Sequence, residues 1–231
     1  MSEFSLSAKK RLIKDIVSLS KSPLIDEGIY YTHDDDNIQY GYAVIIGPKD
    51  SPYEDGIYMF RFKFPYNYPV SPPKVEFMTS YNQFRFHPNY YVSGKVCLSI
   101  LNTWPGEKWT SSLTLRFILV TLQSIMTKNA LTNEPGVTVE KHNERIISYD
   151  NAVSYNNIAH CISLFQNVPT MFNMFDSMIN KHIQDKYFDF MKRLDDMKKY
   201  DNTHFQTMYN SRYYVYKVKE LQNSLKELME N

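Results

Sequence analysis

Residues 87–101 read HPNYYVSGKVCLSIL and contain Cys97, one of the two cysteines of the chain. Pro88 and Gly94 oppose regular secondary structure, whereas the run from residue 96 to residue 101 is apolar enough to be anchored in a core. The stretch therefore predicts a loop that carries a thiol and is held at one end by a buried segment.

Two polar side chains, His87 and Asn89, lie ten and eight residues before Cys97. An amide this close can donate a hydrogen bond to an oxyanion that forms on a carbonyl attached to the sulfur, as acyl transfer requires. The alternative is that Cys97 is a small buried apolar residue, as free cysteines often are. A single thiol favours this alternative, so the interpretation depends on the surrounding segments.

Two further segments accompany this loop. Residues 47–56 read GPKDSPYEDG, and residues 64–75 read FPYNYPVSPPKV. With His-Pro-Asn, seven residues, Cys-Leu-x-Ile-Leu and a following Trp, they resemble the hallmark segments of ubiquitin-conjugating enzymes, in the same order. The resemblance covers about residues 5–165. Residues 97–101 and the Asn-Glu-Pro-Gly segment at 133–136 are similar to a branch of large enzymes that includes the conjugating domain of the giant apoptosis inhibitor BRUCE.

The resemblance implies a thioester mechanism. An activating enzyme passes the C-terminal carboxyl of ubiquitin, or of a ubiquitin-like modifier, to Cys97, and a substrate lysine then attacks that carbonyl, often with a ligase holding both partners. A thiolate suits both steps because it attacks well and leaves well. No cofactor is expected, since ATP is used by the activating enzyme. The alternative function is a non-catalytic relative that binds ubiquitin or scaffolds a complex.

The other active-site residues follow from the same resemblance. Asn89 is expected to organise the loop and stabilise the oxyanion, and His87 to hold the loop in shape rather than to transfer protons. Ser99 occupies a position where many relatives have Asp. Glu134, in the Asn-Glu-Pro-Gly segment, is the candidate for the acid that prepares the incoming lysine. The second cysteine, Cys161, lies on an apolar helical stripe and is expected in the core.

Several surface residues are expected to contact partners. The basic side of the first helix is either a solvated face or, as the resemblance implies, the docking site of the activating enzyme. Two loops match those that RING-type ligases grip, and the next helix matches the surface on which the thioester-held ubiquitin folds back, although both sets could equally be ordinary surface. The residues on the first helix are Lys9, Lys10 and Lys14. Those in the two ligase-binding loops are Phe64, Pro65 and Trp109, and those on the next helix are Val120 and Ser124.

Hydrophobic periodicity predicts an α+β fold. Strands are expected over residues 28–32, 38–46, 58–64 and 75–78, and helices from about residue 5 to 20, from 113 to 126 and from 143 to 165. These elements predict a four-stranded antiparallel meander with an N-terminal helix, a central helix after the active site and C-terminal helices. The triple Asp at residues 34–36 is expected in a loop rather than at a metal, because three consecutive side chains cannot converge on one cation.

Residues 168–231 form an extension beyond the core domain, which is assigned to residues 5–167. Apolar residues recur at about 3.5-residue spacing over residues 172–197 and again over residues 205–228, with a break at Asp201-Asn202. This pattern predicts a helical hairpin packed on the core domain. A heptad-like seam between two chains is the alternative.

Composition limits the class of protein. The chain has 231 residues, 43% of them hydrophobic and 22% charged, which is enough to build a sizeable core. The net charge of +1 gives no electrostatic reason for a nucleic acid or an anionic membrane as partner. Residues 1–5 do not resemble a signal peptide, and two cysteines make no disulfide framework. A monomer in the cytoplasm or nucleus is expected.

Overall fold

The structure is a computed structural model that describes residues 4–230. Residues 1–3 and 231, on which part of the signal-peptide and tail predictions falls, lie outside the described residues. The chain divides into two compact units. One comprises Met1–Pro48 and Tyr58–Met126, and the other comprises Lys49–Ile57 and Thr127–Asn231. The predicted boundary at residue 167 is a different division, because it separates the expected core domain from the C-terminal extension. It stays a prediction.

The first unit contains the predicted meander. Strands β1 (Ile29–His33), β2 (Tyr40–Ile46), β3 (Ile57–Lys63) and β4 (Lys74–Phe77) lie side by side in chain order. The β1–β2 and β3–β4 pairs are antiparallel. The phenol of Tyr31 crosses over Gly41, so that position has no room for a side chain. The predicted α+β meander is confirmed.

Helix α1 (Leu6–Lys21) begins where the sequence predicts, because the hydroxyl of Ser5 accepts the N–H of Ala8 as an N-cap. Its buried face differs from the predicted one: the buried residues are Ala8, Leu12, Asp15 and Leu19. The sequence pattern predicts an apolar stripe of Leu12, Ile13, Ile16 and Val17, but Ile13 and Val17 are 49% and 43% exposed. Asp15 is part of the buried face, where its carboxylate accepts the hydroxyl of Tyr68 at 2.5 Å.

Helix α2 (Leu115–Ser124) follows the predicted active-site loop. The sequence suggests Ser111-Ser112 as the cap of this helix, but the N-cap is Thr114, whose hydroxyl accepts the N–H of Phe117 at 3.2 Å. The side chains that face the core are Leu115, Ile118, Leu119 and Leu122. The helix thus presents its carbonyl end, at Leu122 and Ile125, to the loop that carries the thiol.

The second unit is built around α3 (Val139–Gln166), which has non-helical backbone angles at His142. Helices α4 (Asp176–Asp185) and α6 (Val218–Glu230) pack against it, and α5 (Tyr187–Asp196) packs against both. Between α5 and α6 lies a two-stranded antiparallel hairpin of β5 (His204–Gln206) and β6 (Tyr213–Val215). None of the helices within residues 4–230 is long and apolar enough to cross a membrane.

The predicted helical hairpin is therefore wrong over residues 204–215. Phe205 and Tyr214 stack on each other, with ring centroids 5.2 Å apart, and Tyr216 lies against Phe205 at 4.4 Å. Aromatic side chains pack well across paired strands, which explains why this stretch forms a hairpin instead of extending a helix.

Candidate active site

The loop before Cys97 is a small hairpin held by main-chain bonds. Tyr90 is bridged to Val96, and the N–H of Tyr91 donates to the oxygen of Lys95 at 2.9 Å. Gly94 turns the chain with φ of +88°, and its oxygen accepts the N–H of Phe77 at 2.8 Å. A side chain at this φ would be strained, so the glycine allows the loop to pair with β4.

His87 is fully buried and ties this loop to α2. Its Nδ1 accepts the N–H of Asn89 at 3.0 Å, and its Nε2 lies 2.9 Å from the carbonyl oxygen of Ile125. A carbonyl can only accept, so the proton is on Nε2. Burial lowers the pKa of His87 to about 3, and the charge of Arg85 acts in the same direction. A neutral ring with both nitrogens engaged supports a structural role rather than proton transfer.

Asn89 is buried and pairs with Cys97 through both its side chain and its main chain. Its Nδ2 donates to the carbonyl oxygen of Cys97 at 2.8 Å, and its own carbonyl accepts the N–H of Cys97 at 2.9 Å. The amide is thus directed at the backbone of Cys97, a geometry that is consistent with the predicted loop-organising role. The oxyanion role stays a prediction.

The two cysteines have different surroundings. Cys97 is 1% exposed and lies between the loop and the 3₁₀ helix Ser99–Leu101. Cys161 is fully buried on α3, where its Sγ lies 3.8 Å from the oxygen of Asp55, and burial raises its pKa to about 12. A thiol with so high a pKa is a poor nucleophile, which supports its assignment to the core.

The two candidate polar residues lie in different units. Ser99 is half-buried and begins the 3₁₀ helix that follows Cys97. Glu134 belongs to the second unit, where it follows the 3₁₀ helix Ala130–Asn133 and its oxygen accepts the N–H of Val137 at 3.1 Å. The role of Glu134 towards an incoming lysine stays a prediction.

The predicted ligase-binding loops meet each other, but two of their residues face inwards. Trp109 is 8% exposed, and its Nε1 donates to the oxygen of Pro69 at 2.7 Å. Phe64 is fully buried, so its side chain offers no surface to a partner, and that part of the expectation needs correction. Pro65 is half-buried, and the apolar residues Tyr66 and Val70, nearby in sequence, are 51% and 73% exposed.

The remaining predicted contact residues are on the surface. Lys9, Lys10 and Lys14 are exposed on α1. Arg11 is not available beside them, because its guanidinium donates to the oxygens of Ser111 and Leu113 at 2.5 and 2.6 Å. On α2, Val120 is 42% exposed, and Ser124 is exposed as well.

Sequence reasoning missed Thr103. Its hydroxyl bonds to the main chain of Val96 and Leu98, the two neighbours of Cys97. The feature of the sequence that indicates this role is the pair Asn102-Thr103 directly after an apolar run. Asn tolerates the left-handed conformation that ends such a run, and Thr hydroxyls bond to nearby backbone.

Comparison with known proteins shows that this chain is similar to ubiquitin-conjugating enzymes. The family model described as Ubiquitin-conjugating enzyme matches residues 11–159. Ubiquitin-conjugating enzyme E2 Z of Xenopus tropicalis is 40% identical over 149 residues, which cover 64% of this chain and 47% of that protein. The dual E2 ubiquitin-conjugating enzyme/E3 ubiquitin-protein ligase BIRC6 of Homo sapiens is 42% identical over 142 residues, or 57% of this chain and 3% of that protein.

A viral relative is similar over more of the chain. Probable ubiquitin-conjugating enzyme E2 R521 of Acanthamoeba polyphaga mimivirus is 35% identical over 193 residues, which cover 78% of this chain and 13% of that protein. The chain thus spans less than half of the length of each of these three relatives. Since the family model matches more than half of its residues, this chain belongs to the ubiquitin-conjugating enzyme family.

Proposed function

We propose that this chain accepts ubiquitin or a ubiquitin-like modifier as a thioester on Cys97 and transfers it to a substrate lysine. The observation that carries the proposal is the position of Cys97 in the His-Pro-Asn loop, with its N–H and its carbonyl both bonded to Asn89. A nucleophile must be held in one orientation to react quickly, and this pairing fixes its backbone.

The chemistry consists of two acyl transfers. In the first, the Cys97 thiolate attacks the carbonyl of the modifier on the activating enzyme, a new C–S bond forms, and the thiolate of the activating enzyme leaves. In the second, the lysine nitrogen bonds to that carbonyl carbon, the C–S bond to Cys97 breaks with its electron pair going to sulfur, and the amine loses a proton. The products are an amide and free Cys97.

The surface of α1 supports docking of the activating enzyme over the alternative of a plain solvated face. Lys9, Lys10 and Lys14 are exposed together with the apolar side chains of Ile13 and Val17. A solvated helix face has no need of exposed apolar residues, whereas a partner surface combines apolar contact with charges that speed the encounter.

The partners on the other surfaces follow from the same proposal. A ligase would contact the region of Pro65 and Trp109 through the exposed residues around them, and the thioester-held modifier would lie against Val120 and Ser124 on α2. We also propose a reducing compartment, the cytoplasm or nucleus. The free state of both cysteines supports this location.

A charging assay tests the proposal. The protein is mixed with ubiquitin, an activating enzyme and ATP, and the products are separated on a non-reducing gel. We expect a band heavier by one ubiquitin that a thiol reagent removes. Cys97→Ala should abolish this band, and Cys161→Ala should retain it.

Cys97→Ser makes the assay sharper. A serine at this position would form an oxygen ester, so its adduct should resist thiol reagents and be cleaved by hydroxide. The alternative, a non-catalytic ubiquitin-binding relative, would bind ubiquitin without any covalent band over a panel of modifiers and activating enzymes. That result, or an adduct that depends on Cys161, would contradict the proposal.

A further inference from the structure

Thr103 is placed by a sharp turn after the nucleophile. Asn102 ends the 3₁₀ helix in the left-handed conformation, with φ of 60°, and its N–H donates to the oxygen of Ser99 at 2.8 Å. The side-chain oxygen of Asn102 also accepts the N–H of Trp109 at 3.0 Å. The chain reverses at this point, which brings Thr103 back to the residues on either side of Cys97.

The hydroxyl of Thr103 bonds to both neighbours of Cys97. Its Oγ1 accepts the N–H of Leu98 at 2.9 Å and donates to the oxygen of Val96 at 2.8 Å. The oxygen of Leu98, 3.1 Å away, is a second acceptor for the same hydrogen. The main-chain N–H of Thr103 donates to this oxygen as well, at 3.2 Å.

Thr103 and Asn89 together hold consecutive main-chain groups around the nucleophile. Asn89 supplies the partners of the N–H and the carbonyl of Cys97, and Thr103 supplies those of the Val96 carbonyl before it and the Leu98 N–H after it. The orientation of the Cys97 side chain depends on the two peptide planes on either side of this residue. Val96 and Leu98 are 2% and 7% exposed, so water has little access to replace the bonds from their side.

We propose that Thr103 is a positioning residue for the reactions of Cys97, a role that rests on the proposed function. It acts through the backbone of the nucleophile and not on the reacting atoms. Misplacement of a reacting group by about 1 Å can lower a rate by about a hundredfold. Thr103 itself is exposed, and water can take over part of its hydrogen bonding, so we expect a smaller effect of about tenfold.

Two variants of the full chain distinguish the effect of the Thr103 hydroxyl from that of the rest of its side chain. Thr103→Val keeps the shape and the main-chain N–H but removes the hydroxyl, whereas Thr103→Ser keeps the hydroxyl. Thr203→Val is a matched control, because it removes a hydroxyl that donates to the oxygen of Tyr200 in the second unit. Because Thr103 and Thr203 are both exposed, all three variants should fold, and thermal unfolding checks this.

The main readout is the discharge of purified thioester to free lysine over a range of lysine concentrations. For Thr103→Val we expect a maximal rate lower by about tenfold with an unchanged half-saturating lysine concentration, since the hydroxyl affects orientation and not binding. Thr103→Ser should stay within about threefold of the unchanged protein, and Thr203→Val should match it.

Amide hydrogen exchange gives a readout that does not need catalysis. The N–H of Leu98 should exchange faster in Thr103→Val than in Thr103→Ser, because its acceptor is lost. If the unchanged protein cannot be charged at all, the proposed function fails, and this measurement still decides whether Thr103 holds Leu98.

Four outcomes would overturn the inference: a normal maximal rate in Thr103→Val, an equal loss in Thr103→Val and Thr103→Ser, a change in half-saturation alone, or unchanged exchange of the Leu98 amide.

Discussion

The side-chain nitrogen of Asn89 lies 2.8 Å from the main-chain oxygen of Cys97, to which it donates a hydrogen bond. A short polar side chain and the cysteine eight residues later are therefore directly hydrogen-bonded. Removal of the amide would leave a buried carbonyl without this donor, so it should affect folding as well as chemistry.

For Asn89→Ala we expect a free energy of unfolding lower by about 1–3 kcal/mol, the range for an unsatisfied buried polar group. Discharge of the thioester to lysine should also slow, while charging survives. Denaturant unfolding and the discharge assay measure the two effects. Asn143→Ala, at an exposed position of α3, is the control and should change neither. Equal stability of Asn89→Ala and its parent would remove the role of this hydrogen bond.

Acid should destabilise the protein through its buried histidines. Burial lowers the pKa of His87 to about 3 and that of His160 to about 4, whereas an unfolded histidine titrates near 6.5. Between these values the unfolded state binds more protons, so stability is full above about pH 6.5 and falls as the pH decreases towards the folded values. Each ring contributes a slope of up to about 1.4 kcal/mol per pH unit.

His87→Gln isolates one of these contributions. We expect the slope of unfolding free energy against pH between about 6 and 4 to decrease by roughly 1.4 kcal/mol per pH unit, whatever the variant does to stability at neutral pH. Asn143→Gln, at an exposed position of α3 without a titratable group, should leave the slope unchanged. The same slope in His87→Gln as in the unchanged protein would show that this ring does not fold in its neutral form.

An ion pair that is largely buried links helix α5 of the C-terminal extension to residues 49–57 of the same unit. Arg193 on α5 donates from Nη2 to Asp55 at 2.6 Å and from Nη1 to the oxygen of Glu54 at 2.5 Å. The side chains of Asp55 and Arg193 are 10% and 20% exposed. Arg193→Ala should lower stability by about 1.5–3 kcal/mol, the range for hydrogen bonds to charged groups.

Lys181→Ala is the comparison for that ion pair. The pair of Lys181 with Asp185 is well exposed, at 75% and 58%, so its loss should change the free energy of unfolding by less than about 0.5 kcal/mol. Urea unfolding measures both variants. Similar effects from Arg193→Ala and Lys181→Ala would show that the Asp55 contacts do not stabilise the second unit.

The lysines of α1 should determine how fast charging begins. The double variant Lys10→Glu with Lys14→Glu should slow charging several-fold at low salt, and the difference should shrink at high salt, where charges are screened. Lys219→Glu with Lys226→Glu, two exposed positions of α6, makes the same change in net charge elsewhere. An equal loss in both double variants would mean that total charge matters and the α1 face does not.

The sequence predicted the meander because its strands are long enough to show their period. Tyr40–Ile46 and Ile57–Lys63 each extend over seven residues, and turn residues flank them. The hairpin at His204–Gln206 and Tyr213–Val215 has only three residues in each strand, too few for a period of two to be distinguished from a helical rhythm. The packing of aromatic rings in the folded protein therefore determines that this stretch forms a hairpin.

At the site, the sequence identified which residues assemble but not how they face. His87, Asn89 and Cys97 do come together, because His-Pro-Asn and the cysteine belong to one loop. The burial of Phe64 depends on packing with a ring far along the chain, that of His33 at 5.8 Å, and a local pattern does not reveal it. The contacts of Thr103 depend on a turn whose geometry the apolar run alone does not specify.

The burial of Cys97 has a chemical consequence for the uncharged protein. Conversion of a thiol to a sulfenic acid requires that peroxide reach the sulfur, and exposed, thiolate-rich cysteines are the ones that react. With 1% of its surface exposed, Cys97 is shielded from such oxidants, and the proposed thioester transfer would require the atoms that cover it to move aside. The opening that the proposed carrier function requires would therefore also expose the sulfur to oxidative damage.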